Sequence, residues 1–292
     1  MSGGADDAPD PAPPRPVRTF RVDLEYDGEG FCGWQRQAAD RTVQATLEEA
    51  LSRLVGAPVA VVGAGRTDAG VHALGTVASF SAATTLDAAT IARALDATLP
   101  EDVGVRGVEE RPGFHALRDA RWKWYRYTWL RSPTRRVHER RTAWRVAVPL
   151  DVAAMRAAAG GLRGRHDFAA FQSSGSPRRS TVRTLVGVRL LEDGARLALD
   201  LVGDGFLYGM VRAIAGTLSE VGRGARRADA MAALLASRDR RLAGPAAPAH
   251  GLALVAVGYA GDEPPTFVDP SLAAGLESGR SDRERAPADA EA

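Results

Sequence analysis

The sequence predicts an α+β fold for residues 18–260, in which one β-α-β-β-α-β unit is used twice. Three observations carry this prediction. Short stretches alternate apolar with polar residues, longer stretches place apolar residues at helical spacing, and both patterns recur in the same order in each half of the chain.

The first half opens with "RTFRVDLEY", where Phe20, Val22, Leu24 and Tyr26 fall on one face of a half-buried strand. A glycine turn leads to "TVQATLEEALSRLVG", whose Val43, Leu47, Leu51 and Leu54 line one side of a helix. "PVAVVGA" and "GTVASFS" read as strands, "LDAATIARALDATL" as a helix, and "DVGVRGVEE" as the closing strand. The second half repeats the order less cleanly. "RWKWYRYTWL" is a strand, "LDVAAMRAAAGGL" a helix, and "TLVGVRLLED" with "RLALDLVG" a hairpin around Asp193-Gly194. "GFLYGMVRAIAGTLSEVG" is a long helix, "ADAMAALLAS" an added short one, and "GLALVAVGY" the last strand. This is the ferredoxin-like arrangement, with two helix-backed antiparallel sheets expected to meet at a cleft. The expected segments are an arm at 1–17, halves at 18–113 and 114–260, and an acidic tail at 261–292, both ends being disordered.

Composition excludes several classes of protein. Apolar residues make up 45% of the 292, as in soluble globular chains, and no apolar run approaches the roughly 20 residues of a membrane helix. "MSGGADDAPDPAPPRP" lacks a hydrophobic signal core. Cys32 is the only cysteine, so no internal disulfide is possible, which fits a reducing cytoplasm. Five scattered histidines show no metal-ligand spacing, so no metal is expected.

The formal charge of +2 hides an uneven distribution, since residues 18–261 carry 34 basic against 25 acidic side chains. The excess peaks in residues 111–145, where eleven Lys and Arg face two acids, with four tryptophans and two tyrosines interleaved. Cations can meet phosphates and rings can stack on bases, so the stretch suits a nucleic-acid surface. A charged face beside a buried aromatic strand is the other reading.

Three further features bear chemistry. In "GAGRTDAGVHALG" (63–75), Arg66, Thr67 and Asp68 sit between glycines on a loop joining two strands. Asp before Ala-Gly is a common turn signal, and an Asp can satisfy the amides of its own loop. A loop between strands equally displays side chains at a sheet end, where sites are often built. Arg212 lies in an otherwise apolar helix, either at the surface or paired with a carboxylate such as Asp68. Tyr125 and Tyr127 share one strand face, with Trp124 and Arg126 on the other.

Taken together, these residues resemble the tRNA pseudouridine synthase A (TruA) family. "AGRTDAGVHA" (64–73) is similar to its signature. "YDGEGFCGWQRQ", "TVQATLEEAL", "FHALRDARWKWYRY", "GRHDFAAFQ", "TVRTL", "GFLYGMVRAIAGTL" and "GLALVAVGY" follow in the family's order. The resemblance spans about residues 18–260. It implies isomerisation of uridine to pseudouridine at positions 38, 39 and 40 of the tRNA anticodon stem-loop, without metal or cofactor. It also implies two ferredoxin-like halves about a cleft, and a homodimer in which one tRNA touches both subunits. By position, Asp68 matches the catalytic aspartate and Arg66 the arginine that helps displace the target base. Tyr125 matches the tyrosine lying against the base, Arg212 the arginine paired with the carboxylate, and Leu254 an apolar wall of the uracil pocket. The tryptophans of "RWKWYRY" depart from the smaller or polar neighbours expected there. A non-catalytic tRNA-binding or folding chaperone would not require these four polar side chains together. A phosphotransferase is disfavoured by the lack of a P-loop.

Overall fold

The computed structural model describes residues 15–175 and 180–267. They form a mixed α+β structure with ten strands and five α-helices, and the chain clusters into two compact units dividing between Ala120 and Arg121.

The first unit runs β1 (Val17–Tyr26), α1 (Val43–Val55), β2 (Val61–Gly63), β3 (His72–Ala83), α2 (Ala88–Thr98) and β4 (Val103–Glu110), the element order that the periodicities predict. Its sheet has the order β4-β1-β3-β2, with every pair antiparallel. Register pairs Phe20 with Phe80, whose buried rings stack at 5.1 Å. Thr42 caps α1 by accepting from the Ala45 amide, and Gly56 ends it at φ 75°. Both Gln44 and Glu48 of α1 bond the backbone of Val61, the first residue of β2, and Arg36 pairs with Glu48 at 2.6 Å. A helix thereby fixes the short strand that leads into the 64–71 loop.

Residues 114–120 stay with this unit, beyond the boundary expected at 113. The Ala116 amide donates to Ser79 Oγ at 3.0 Å, and the guanidiniums of Arg21 and Arg111 lie 5.9 and 5.1 Å from the Phe114 ring centroid. The described end of the expected arm is also tied down, since Pro16 O accepts from the Thr84 amide. Residues 1–14 lie outside the described part.

The second unit contains β5 (Trp122–Arg131), β6 (Trp144–Val146), α3 (Val152–Gly160), β7 (Gly164–Asp167), β8 (Val182–Asp193), β9 (Arg196–Gly203), α4 (Met210–Gly222), α5 (Ala230–Ser237) and β10 (Leu252–Gly258). The sheet order is β10-β5-β9-β8-β7, with β6 parallel to the end of β5. With three and four residues, β6 and β7 are too short to show a period of two in sequence. The long helix expected from residue 205 begins instead at Met210, because Gly209 takes a left-handed φ of 68°. A Cβ there would lie 2.2 Å from Ser173 Oγ, so the turn and the close approach both require glycine.

The segment expected to be disordered from residue 261 is packed as far as Phe267; residues 268–292 lie outside the described part. Trp122 Nε1 donates to Asp262 O, Phe267 meets Trp124 edge-on at 5.6 Å, and Arg189 stacks 4.2 Å from the Phe267 centroid. Beneath this cover lies Asp200, fully buried, accepting from Trp124 Nε1, from Arg126 through two nitrogens, and from Arg189. Burial alone would raise the Asp200 carboxyl, but the bonds from Arg126 and Arg189 outweigh it and hold it below the usual carboxylate range. Asp200→Asn should therefore cost about 2–3 kcal/mol at neutral pH, less than a fully buried pair because both arginines reach solvent. A carboxyl with a depressed folded pKa stabilises above its unfolded value near 4 and stops doing so as pH falls through the folded one. Urea melts of wild type and variant should accordingly converge below about pH 4.

Among the described residues no helix is long and apolar enough to cross a membrane.

Candidate active site

The 64–71 loop of the first unit is held from one side by the segment 26–34, "YDGEGFCGW". Trp34 N donates to Thr67 O at 3.1 Å, and Gly70 N donates to Phe31 O at 3.2 Å. Within the loop Val71 N bonds Asp68 O at 3.1 Å, and Gly70 takes φ 76°. Gly33, at φ 90°, approaches so closely that a Cβ would stand 2.6 Å from Thr67 O. His72 Nδ1 accepts from the Gly28 amide at 3.1 Å and lies 3.1 Å from Asp27 Oδ1, anchoring the exit of the loop.

Side chains alternate along the motif. Arg66 is exposed, Thr67 buried and Asp68 half-buried. Thr67 turns inward, where its Oγ1 meets the Tyr26 hydroxyl at 2.7 Å, while Arg66 and Asp68 on either side of it are less buried. Burial pushes the Tyr26 phenol well above its ordinary range, against a smaller opposing effect of the Thr67 bond, so it is a neutral hydroxyl at working pH.

In the second unit Tyr125 is buried on β5, opposite Leu254 of β10 on one side and Leu201 of β9 on the other. Its ring meets Phe206 edge-on at 4.9 Å. Tyr125, Leu254 and Phe206 therefore form one apolar group. Arg212 stands half-buried on α4, where Arg212 Nε donates to Ala247 O at 2.8 Å and Ala247 N returns a bond to Arg212 O. Tyr127, on the same face of β5 as Tyr125, donates to Pro248 O at 3.0 Å. The strand face and the helix are thus both tied to residues 247–248. Gly216 lets this segment cross α4 directly, since a Cβ there would overlap Pro245 O.

The "tRNA pseudouridine synthase" family model matches residues 24–116 and 158–260, which include the whole Asp68 loop, Tyr125's partners on β9 and β10, and α4. The chain belongs to the tRNA pseudouridine synthase A family. It is 43% identical to a tRNA pseudouridine synthase A of Pelobacter propionicus over 244 residues, 83% of this chain and all of that protein. Similar relatives of the same name come from Syntrophotalea carbinolica, at 46% identity over 84% of this chain and 97% of the relative, and from Moorella thermoacetica, at 44% over 82% and 99%.

For a member of a family of tRNA-modifying isomerases, the basic aromatic stretch 111–145 divides into two parts. Its tryptophan rings follow the second of the two sequence readings, that of a buried aromatic strand. Trp129 is fully buried and donates to Ser219 Oγ at 2.8 Å, Trp144 packs on Tyr127, and Trp124 lies under Phe267. Arg126 is committed to Asp200 and Arg131 to Glu192. The exposed cations of the stretch are Arg118 and Arg121 together with a denser group at 133–145, where Arg135, Arg136, Arg140, Arg141 and Arg145 face solvent. Sequence reasoning missed the roles of Tyr26, Gly28, Gly33 and His72 in holding the loop. The three glycines at 28, 30 and 33, within six residues of one another, were the available signal of close backbone approach.

Proposed function

We propose that this chain isomerises uridine to pseudouridine in tRNA, at positions 38, 39 and 40 of the anticodon stem-loop, with Asp68 as the catalytic carboxylate and no metal or cofactor. The observation that supports the reading best is the family match across the loop that carries Arg66 and Asp68. Pseudouridine holds the same atoms as uridine, with carbon 5 of the base joined to the sugar in place of nitrogen 1. The glycosidic bond must break, the freed uracil must turn without escaping, and carbon 5 must bond to carbon 1′ and give up its proton. Asp68 serves either by covalent attack or by removing a sugar proton to leave a glycal.

A stacked base is out of reach, so the uridine flips out, which costs a few kcal/mol. Arg66, exposed and two residues before Asp68, fills the vacated space and meets phosphates. Tyr125 stacks against the uracil and Leu254 walls it from water. Arg212 pairs with Asp68, favouring its ionised form and fixing its direction. The fuller reading includes two ferredoxin-like halves about the active-site cleft and a homodimer sharing each tRNA, acting in the cytoplasm.

The test is release of tritium from carbon 5 of uracil in labelled tRNA, paired with pseudouridine maps of tRNA from cells with and without the gene. Loss of the modification at 38–40 in cells lacking the gene is expected; unchanged maps would refute the proposal. Backbone affinity is assigned to the 133–145 loop. Reversing Arg135 and Arg136 to Glu should weaken tRNA binding at least about tenfold and flatten the log K against log salt slope by about two. The rate at saturating tRNA should not change, as filter binding and single-turnover kinetics will reveal.

A further inference from the structure

The Tyr26–Thr67 hydrogen bond is a buried polar contact that the chemistry above does not use. We propose that Tyr26 is a positioning residue, acting through Thr67 to set the direction of the Asp68 carboxylate. The inference rests on the reading of Asp68 as the catalytic group.

Along Arg66-Thr67-Asp68 burial alternates, from exposed to buried to half-buried, so the contact that draws Thr67 inward also bears on how its two neighbours are presented. Tyr26 makes that contact. It ends β1, is 5% exposed, and its hydroxyl lies 2.7 Å from Thr67 Oγ1. The ring has little freedom, since Trp34 and Phe31 pack against it at centroid distances of 6.3 and 6.4 Å. The same two residues bond the loop backbone, Trp34 N to Thr67 O and Phe31 O to Gly70 N. Tyr26 is therefore locked to the parts of the chain that hold the loop, and its hydroxyl reaches the one side chain that decides the twist of the motif.

The backbone bonds at Thr67 O, Asp68 O and Gly70 N hold the peptides around Asp68, but none of them acts on a side chain of the motif. The buried Thr67 side chain supplies that hold, because swinging it outward would leave the Tyr26 hydroxyl buried without a partner. The threonine methyl and hydroxyl divide the work: the methyl fills space, and only the hydroxyl specifies orientation. A valine at this position would keep the packing and lose the direction.

Four variants test this by single-turnover tritium release at saturating enzyme, with tRNA affinity and thermal melting measured on each. Tyr26→Phe and Thr67→Val should each slow the reaction tenfold or more while tRNA affinity stays within about twofold. Thr67→Ser, which retains the hydroxyl, should remain within about threefold of wild type. The double variant Tyr26→Phe/Thr67→Val should be no slower than the slower single, because both remove one interaction. Lowered melting temperatures with wild-type rates in both single variants would overturn the proposal, as would multiplicative losses in the double. Should Tyr26→Phe fail to fold, the Ser–Val contrast at position 67 decides alone. Asp68→Asn is run beside them: an inactive Asp68→Asn with wild-type Tyr26→Phe and Thr67→Val sinks the positioning role only. An active Asp68→Asn sinks the reading on which it rests.

Discussion

Asp68→Asn is expected to abolish pseudouridine formation, with a fall in the single-turnover rate of roughly 10⁴-fold or more. Asparagine keeps the shape, but it neither attacks carbon nor takes up a proton. The backbone of the loop is held by Trp34, Phe31 and His72 through bonds that do not involve the Asp68 side chain. The substitution therefore removes the chemistry and leaves the scaffold. Binding of tRNA should stay within a few-fold of wild type by filter binding, since the phosphate contacts are assigned elsewhere. Retained turnover would refute the assignment of the catalytic role to Asp68.

Arg212→Ala should slow the reaction by roughly 10²–10³-fold, the scale of losing one charge-assisted contact in a water-excluded site. The guanidinium is held by its own Nε bond to Ala247 O, so its remaining nitrogens are presented in a fixed direction. Lysine lacks that fork, and Arg212→Lys should recover only part of the loss. The proposed pairing with Asp68 makes a stricter demand: the double variant Asp68→Asn/Arg212→Ala should be no slower than Asp68→Asn alone. Independent losses that multiply would show that Arg212 serves something other than the carboxylate.

Much of the first unit was legible before any coordinates. Phe20, Val22, Leu24 and Tyr26 announce β1 because burial on one sheet face imposes a period of two, and all four are buried. Val43, Leu47, Leu51 and Leu54 announce α1 in the same way, at helical spacing; the first three are buried and Leu54, in the last turn, is half-buried. Asp68 and Arg66 were singled out because polar residues between glycines on a strand-to-strand loop need an explanation. Where the reading went astray, the deciding contacts were distant in sequence. The helix expected at 205 starts at Met210 because Gly209 takes a left-handed φ, in a turn packed against Ser173. The choice between an RNA-facing and a buried aromatic strand, open in the sequence, is decided by Ser219, Asp200 and Phe267, which claim the tryptophans.

The limit shows best at Tyr26. Its alternation marks it as one more apolar side chain of β1, and nothing local marks its hydroxyl as the group that turns Thr67 inward. Periodicity records which side of an element is buried, because burial is imposed residue by residue along the chain. It carries no record of which partner waits on that side, because hydrogen bonds between segments some forty residues apart depend on strand register and loop course. The amino-acid sequence by itself therefore determined the elements, their order and the family motif around Asp68. Only the tertiary structure decided what holds that motif, which rings are packed away, and where the exposed cations lie.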